Sequence, residues 1–315
     1  EILEWAGVAA ERLATPAPAG TVVGTLPPSI ARGLGFLQPV QAIVGGHDQP
    51  CGALGSGALG DGEAMLALGT TAVLVPALRA PLHALAADGF PCYPHVLPER
   101  WVTLAGTPSG GSLLRWYRDQ FGDRELRVAR KTGRSVYDVM MDLLSDGPGP
   151  LMLLPHFAGT EAPYHNPDAR GALFGLTLGT TRAHVVQAIV EGIAYEICLY
   201  AERLQAAGVV LSSLRAIGGG ARSARWMQRN ADVLNLPITV PQVTEATGLG
   251  AALLAGWGSG CYDSLAEAAA ATARNRSAEQ TFVPDPTRAD QYARRMEQYR
   301  QLYPAVSAIQ VHEQE

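Results

Sequence analysis

The stretch Leu214-Arg215-Ala216-Ile217-Gly218-Gly219-Gly220-Ala221-Arg222-Ser223 narrows the fold more than any other part of the chain. Its first four residues read as a strand, and Ala224 to Leu234 reads as a helix. Three consecutive glycines between them keep side chains off the backbone where strand gives way to helix. A flat ring or a phosphate can then lie against the main chain at a helix N-terminus. A strand, glycine run and helix in this order predict an α/β fold with a ligand-binding edge.

A second stretch, Val44-Gly45-Gly46-His47-Asp48-Gln49-Pro50-Cys51-Gly52-Ala53-Leu54-Gly55, sets one carboxylate among glycines after the apolar run Val40 to Val44. The run is short and β-branched, which predicts a buried strand, with Gly45-Gly46 freeing the backbone at its end. Asp48 then sits at the carboxyl end of that strand, where open α/β sheets bind ligands, and is the first catalytic candidate. A turn aspartate bonding its own backbone is an equally good account of this stretch alone.

Gly55-Ser56-Gly57-Ala58-Leu59-Gly60 matches the dinucleotide-binding pattern G-x-G-x-x-G by letter, but its context excludes that function. The pattern needs a strand before the glycines and a helix after them. Here Glu63 to Leu68 runs as a strand into Gly69-Thr70-Thr71 and a second strand begins at Ala72. The Gly69-Thr70-Thr71 turn, with its backbone amides and two hydroxyls, is either an anion-binding nest or an ordinary hairpin turn. A strand pair at Cys92 to His95 and Trp101 to Leu104 follows, and then Gly106 to Ser112 leads into a helix over Leu113 to Phe121. A glycine-rich loop before a helix suits a phosphate or simply caps the helix.

Further on, a helix at Val136 to Leu144, a buried strand at Leu151 to Leu154 and a long polar loop, Gly159 to Gly171, are expected. A loop of that length inside a compact domain is a candidate for function, although Asp168 and Arg170 could simply pair with each other or pin it. Thr181 is placed to N-cap a long amphipathic helix, Arg182 to Ala207, closed by Gly208. After the strand Ile238 to Val240, Glu245-Ala246-Thr247-Gly248-Leu249-Gly250-Ala251-Ala252 opens a helix whose small residues suit tight packing. Beyond Tyr262, helices at about 263 to 274 and 288 to 303 look peripheral. At the other end, Glu1 to Ala10 has the pattern of an amphipathic helix, a short helix falls at Ser29 to Gly35, and the breaker cluster Thr15 to Gly20 argues for a boundary near residue 38.

Composition limits the partners. With 315 residues, 47% of them hydrophobic, the chain can bury a large core. A charged fraction of 17% and a net charge of −5 leave no electrostatic footprint for nucleic acid or an anionic membrane. No apolar run approaches the ~20 residues of a membrane span. Cys51, Cys92, Cys198 and Cys261 form no C-x-x-C pair, so neither a zinc site nor a disulfide framework is indicated, and a reducing, cytoplasmic setting fits. Small molecules are the expected ligands.

Taken together, Gly45-Gly46-His47-Asp48-Gln49, Gly69-Thr70-Thr71, the loop from Gly159-Thr160-Glu161 to Asp168-Ala169-Arg170-Gly171, and the run from Gly218 through Ala252 occur in a recognisable order. In order and spacing the chain resembles the carboxyl-terminal half of the FGGY carbohydrate kinases, the family of xylulokinase and glycerol kinase. The resemblance implies the second lobe, residues 39–315, of an actin-like, ribonuclease-H-like ATPase fold. Residues 1–38 would then be the end of the first lobe and a linker. Nothing before residue 38 matches the D-x-G-T phosphate segment that similar kinases carry near their amino terminus, so the 315 residues read as one half of a longer enzyme.

By the same resemblance Asp48 would be the general base, taking a proton from a sugar or polyol hydroxyl as it attacks the γ-phosphate of ATP. His47 and Gln49 would contact the substrate. Gly69 and Thr70 would lie near the terminal phosphates and Gly111 near the nucleotide, with Gly219, Gly220 and Ala221 lining the adenine and ribose pocket. Ala224 stands where some relatives have asparagine. Mg²⁺ is implied by ATP chemistry, its protein ligands are not identified, and a homodimer is open. A fragment that binds nucleotide or acts as a scaffold without turnover is the competing expectation, and an ATP hydrolase or regulator on the same fold is a third.

Overall fold

The computed structural model describes residues 1–243, 245–272 and 279–309. The first part of the chain holds the short helix α1 (Ile2–Ala6), strand β1 (Val22–Thr25), helix α2 (Pro28–Gly33), strand β2 (Gln41–Ile43) and helix α3 (Asp48–Ser56). Five strands follow, β3 (Glu63–Leu68), β4 (Ala72–Leu78), β5 (Cys92–Pro94), β6 (Trp101–Thr103) and β7 (Ala105–Thr107), and then helices α4 (Gly111–Phe121), α5 (Asp123–Thr132) and α6 (Val136–Met141). The hairpin β8 (Met152–Leu154) and β9 (Ala172–Phe174) precedes the long α7 (Arg182–Ala206), β10 (Ser213–Ile217) and α8 (Ala224–Leu234). The remainder is β11 (Ile238–Val240), α9 (Ala246–Gly258), α10 (Leu265–Thr272), β12 (Gln280–Phe282), α11 (Pro286–Tyr299) and α12 (Leu302–Ser307).

One mixed sheet organises these elements, in the order β12-β11-β10-β3-β4-β6-β5, with β7 also paired to β4. Strand β10 runs parallel to β3 and to β11, while β3 and β4 form an antiparallel hairpin. Alternation along β3 divides the core. Leu66 and Leu68 join the large cluster under α7 and α8, and Met65 packs on the opposite face with Ala53 of α3 and Ala246 of α9. Strands covered on both faces lose their polar alternation, which is why Ala64 to Leu68 of β3 is continuously apolar, while the one charge inside β10, Arg215, is paired with Glu279.

Helix α7 is buried at nearly every position from Val186 to Ala201. The expected amphipathic pattern gives way to a helix surrounded on all sides by core, the usual state of a helix without a polar face. Thr181 caps it as expected, accepting from the His184 amide at 3.4 Å, and the His184 ring closes a reciprocal capping box.

Three expectations need correction. The run at Val40 to Val44 is not a buried strand of the main sheet; β2 pairs only with β1, in a separate two-stranded sheet, and is half-buried or exposed. Asp48 consequently does not end a strand. It is the first residue of α3, after Gly45-Gly46 have turned the chain, and Pro50 sits in the first helical turn, where a backbone donor has no use. The segment after Tyr262 is not peripheral, because α11 drives Tyr292, Met296 and Tyr299 into the main core against α7. Helices α3, α5 and α12 and strands β1, β7, β9 and β12 have no counterpart among the elements expected from the sequence, and no residue of α1 is buried. The 1–38 segment and the rest are joined by the β1–β2 pairing.

Candidate active site

Parallel pairing puts the carboxyl ends of β3 and β10 side by side, with Ile217 opposite Ala67, so Gly69 and Gly218 leave the sheet at the same edge. The three glycines after β10 have different duties. Gly218 takes φ +89°, ψ −179°, a conformation open in practice only to glycine, and a β-carbon there would stand 2.7 Å from the Leu68 carbonyl oxygen. Gly220 also lies on Leu68, with 2.9 Å to its Cβ. Gly219 has no described atom within 4 Å of where a β-carbon would be, so it faces open space.

The β3–β4 turn is held in place by the N-terminus of α4. Gly110 and Ser112 donate to the Thr70 carbonyl at 2.9 and 3.2 Å, and Gly111 donates to the Gly69 carbonyl at 2.9 Å. First-turn amides of α4 are therefore spent on the turn, so its glycine-rich entry serves as a clamp, and the open surface of the site is left to the exposed Gly69 and Thr70. A β-carbon on Gly111 would lie 2.6 Å from the Gly69 oxygen, which explains glycine at that position.

These pieces enclose a cavity of about 620 Å³ bounded by Gly69, Thr70, Gly111, Gly219 and Gly220. Of the seven residues expected at a nucleotide, these five line it. Ala221 is buried beneath the glycine turn and Ala224 is exposed on α8, and neither lines the cavity. Side chains that the sequence did not single out complete the wall: Arg115 on α4, Ser135, Tyr137 and Asp138 at the start of α6, and Trp226 on α8. Tyr137 is fixed by Arg118, whose Nη1 donates to its hydroxyl at 2.9 Å. The indole N–H of Trp226 is buried and without a partner among the described residues. The amphipathic pattern of α4 could have indicated Arg115; nothing in the sequence marks Ser135 or Asp138, which arrive from a different element.

Asp48, His47 and Gln49 lie together at the N-terminus of α3. Asp48 is 63% exposed, with Oδ1 3.3 Å from His47 Nε2, and a carboxylate in a helix's first turn is favourably placed. The Nδ1 of His47 is 3.2 Å from the Tyr93 hydroxyl. Gln49 is half-buried, and its Oε1 is buried with no partner among the described residues. A second cavity of about 890 Å³ opens beside this group, lined by His47, Tyr93, His95, Arg100 and Trp257 among others. Asp48 lines neither cavity but stands next to the second through His47.

In the long loop, Asp168 and Arg170 pin the backbone, one of the two roles open to them from the sequence. The Asp168 amide donates to Asn166 Oδ1 at 2.9 Å, and Arg170 donates to the carbonyls of Pro167 and Ala169, both contacts that shape the loop itself. Glu161 is exposed and its carbonyl receives the Tyr164 and His165 amides. The letter-perfect G-x-G-x-x-G is a packing device, with Gly55 inside α3 against α9 and Gly57 ending the helix at φ +79°. Among the described residues, no group of three or more His, Cys, Asp or Glu side chains could hold a metal ion, and no helix is long and apolar enough to cross a membrane.

Comparison with known proteins agrees with this architecture. Residues 58–259 match the model of the FGGY family of carbohydrate kinases, C-terminal domain. The chain is 29% identical over 269 residues to a gluconokinase of Bacillus licheniformis, covering 84% of this chain and 52% of that protein. It is 31% identical over 292 residues to a glycerol kinase of Polaromonas naphthalenivorans, covering 90% and 55% respectively. The crystal structure of a xyloylose kinase from Brucella ovis superimposes with a TM-score of 0.81 at 27% identity, over 98% of this chain and 61% of that one. The chain spans about half the length of the curated relatives it matches. The fold is that of the C-terminal lobe of an actin-like ATPase, and the chain belongs to the FGGY family of carbohydrate kinases.

Proposed function

We propose that this chain forms the nucleotide-binding half of an ATP-dependent kinase for a hydroxyl of a pentulose, hexulose, polyol or related substrate, with Asp48 as general base. The observation that carries the proposal is the convergence of Gly69, Thr70, Gly111, Gly219 and Gly220 on one cavity. An ATP purine and ribose would lie over Gly219 and Gly220, where no side chain obstructs, and the phosphates would run toward Gly69 and Thr70. Membership of the family and the gluconokinase and glycerol kinase relatives support a polyhydroxylated acceptor.

Phosphoryl transfer asks little covalent chemistry of the protein; it asks for an in-line nucleophile, a base within reach of its proton and compensation of phosphate charge. The acceptor oxygen forms a bond to the γ-phosphorus, the bond from that phosphorus to the ADP oxygen breaks, and the hydroxyl proton passes to Asp48. His47 and Gln49 would touch the acceptor. Bound with the nucleotide, Mg²⁺ would supply compensation of the phosphate charge. Residues 1–38 would be the end of the first lobe and a linker, in an enzyme of the cytoplasm.

A second reading has its own support. Asp48 is 63% exposed and the chain covers 52% of the gluconokinase, so the isolated chain would bind nucleotide without turnover. Calorimetry of the chain with ADP or ATP and Mg²⁺ should give saturable binding at one site. In the full-length kinase Asp48→Asn should abolish phosphorylation across a sugar and polyol panel. Wild-type turnover by that variant would exclude Asp48 as base, and absence of nucleotide binding would exclude the assignment of the cavity.

A further inference from the structure

The contacts of His47 with Asp48 and Tyr93 belong to one continuous chain. Tyr93 comes from β5, 46 residues from His47 in sequence, and its hydroxyl reaches His47 Nδ1 at 3.2 Å. On the far side of the same ring Nε2 lies 3.3 Å from Asp48 Oδ1. The rings of His47 and Tyr93 meet edge to face, with centroids 5.8 Å apart and planes at 88°.

The approach is built into the backbone. Gly46 lies under the loop that follows β5, where any β-carbon would overlap the Val96 side chain, so glycine is what lets β5 close on the start of α3. A carboxylate can only accept, so in a neutral imidazole the nitrogen facing it, Nε2, carries the proton and Nδ1 is left to accept from the Tyr93 hydroxyl. Burial first, and the Asp48 charge second, push the Tyr93 phenol up to about 12, so its oxygen carries a proton to donate. Nε2 and Asp48 Oδ1 are in ion-pair range at 3.3 Å without the alignment of a hydrogen bond.

We propose that Tyr93 and His47 are positioning residues for the acceptor-activating carboxylate, in the order Tyr93 O–H to His47 Nδ1 and His47 Nε2–H to Asp48 Oδ1. The inference rests on the assignment of Asp48 as general base. One carboxylate oxygen is thereby tied down and the other is left to take the hydroxyl proton. In the free structure the chain is half in water, and an acceptor seated over it removes that competition, strengthens the Tyr93–His47 hydrogen bond and draws the His47–Asp48 contact into one.

The test is steady-state kinetics of the full-length kinase at saturating ATP with the acceptor varied. His47→Ala should lower kcat by about 30-fold and Tyr93→Phe by about 5-fold, with KM for ATP unchanged, because a misplaced base costs turnover and not nucleotide binding. His47→Gln, which keeps an N–H donor at the Nε2 position, should recover to within about 3-fold of wild type. If His47→Ala keeps wild-type kcat while Asp48→Asn is inactive, the chain is overturned and the base assignment stands. If Asp48→Asn keeps wild-type kcat, both fall. A measurement independent of activity is the ¹⁵N spectrum of histidine-labelled wild-type protein: His47 should show the Nε2–H tautomer, relaxing toward a mixture in Tyr93→Phe, and an Nδ1–H tautomer in wild type would overturn the proposal.

Discussion

Gly250 of α9 lies so close to the Cys51 carbonyl of α3 that a β-carbon on it would overlap the oxygen, and Gly55 meets the Ala246 carbonyl in the same way from the other helix. The two helices that carry the candidate base and the E-A-T-x-x-G segment are thus packed backbone to backbone. Alanine is the better helix former by about 1 kcal/mol. At Gly250 that gain is overwhelmed, since a carbonyl in mid-helix cannot retreat, and Gly250→Ala should destabilise the chain by at least about 2 kcal/mol. Gly248 is in the same helix and exposed, with no described atom within 4 Å of an added β-carbon. There the propensity term acts alone, and Gly248→Ala should stabilise by about 0.5–1 kcal/mol. Urea unfolding of both variants checks the opposite signs.

A buried ion pair ties α7 to α8 and α11. Glu191 is fully buried, 2.6 Å from Arg229 Nη1, and also receives Gln187 Nε2 at 2.8 Å and the Tyr292 hydroxyl at 3.0 Å. Arg229→Met keeps most of the volume but strands a carboxylate in the core, at a cost of about 3–5 kcal/mol. The remaining donors favour the lower end of that range. Glu191→Gln combined with Arg229→Met removes the stranded charge and should be less destabilised than Arg229→Met alone, by about 1–2 kcal/mol, in thermal or urea unfolding.

Much of the fold was legible because local signals agreed with the packing. The Thr181 cap, the β3–β4 hairpin and the strand leading into Gly218 are each set by residues within a few positions of one another. The misjudged elements are those fixed from afar. Val40 to Val44 has the composition of a core strand, but its partner is β1 and the main sheet has no free place for it beside β3. Tyr292, Met296 and Tyr299 repeat at helical spacing, a signal that α11 has a buried face, yet their charged neighbours made the segment look like surface. At the site, glycines were readable because a glycine run after a strand has few uses. Ser135, Tyr137 and Asp138 were not, since only tertiary packing of α6 brings them to the cavity. The His47–Tyr93 contact was hidden for the same reason.

His95 provides a stability switch with a defined sign. It is 7% exposed, its Nδ1 accepts the Leu97 amide at 3.0 Å, and its Nε2 has no partner among the described residues. Burial, then the neighbouring Arg100 charge, lowers its pKa from 6.5 to about 4. The unfolded chain therefore binds a proton below about pH 6.5 that the folded chain refuses until about pH 4, and stability falls as pH drops through that window. Between about pH 7.5 and about pH 5 this one group should remove about 2 kcal/mol. His95→Asn keeps an oxygen to accept from Leu97 but cannot be protonated, so the urea midpoint of the variant should fall less over the same interval. Equal pH dependence in both proteins would rule the assignment out.

The cavity over the β10 glycines makes the most direct claim about function, and Gly219 separates binding from folding. Its neighbours cannot be replaced without disturbing the fold: Gly218 has φ +89° against the Leu68 carbonyl, and Gly220 lies on the Leu68 side chain. Gly219 has neither constraint, because its φ lies outside the left-handed region and the space above it is empty. Gly219→Val should leave stability within about 0.5 kcal/mol, as for an exposed substitution away from packed features. Its two methyl groups would occupy the surface on which the proposed purine and ribose rest, so ADP affinity measured by calorimetry should fall at least about 10-fold, or about 1.4 kcal/mol. Loss of stability with affinity intact would place the nucleotide elsewhere. Loss of affinity at constant stability would assign the open face of this one glycine to the ligand and leave Gly218 and Gly220 as the supports that hold it there.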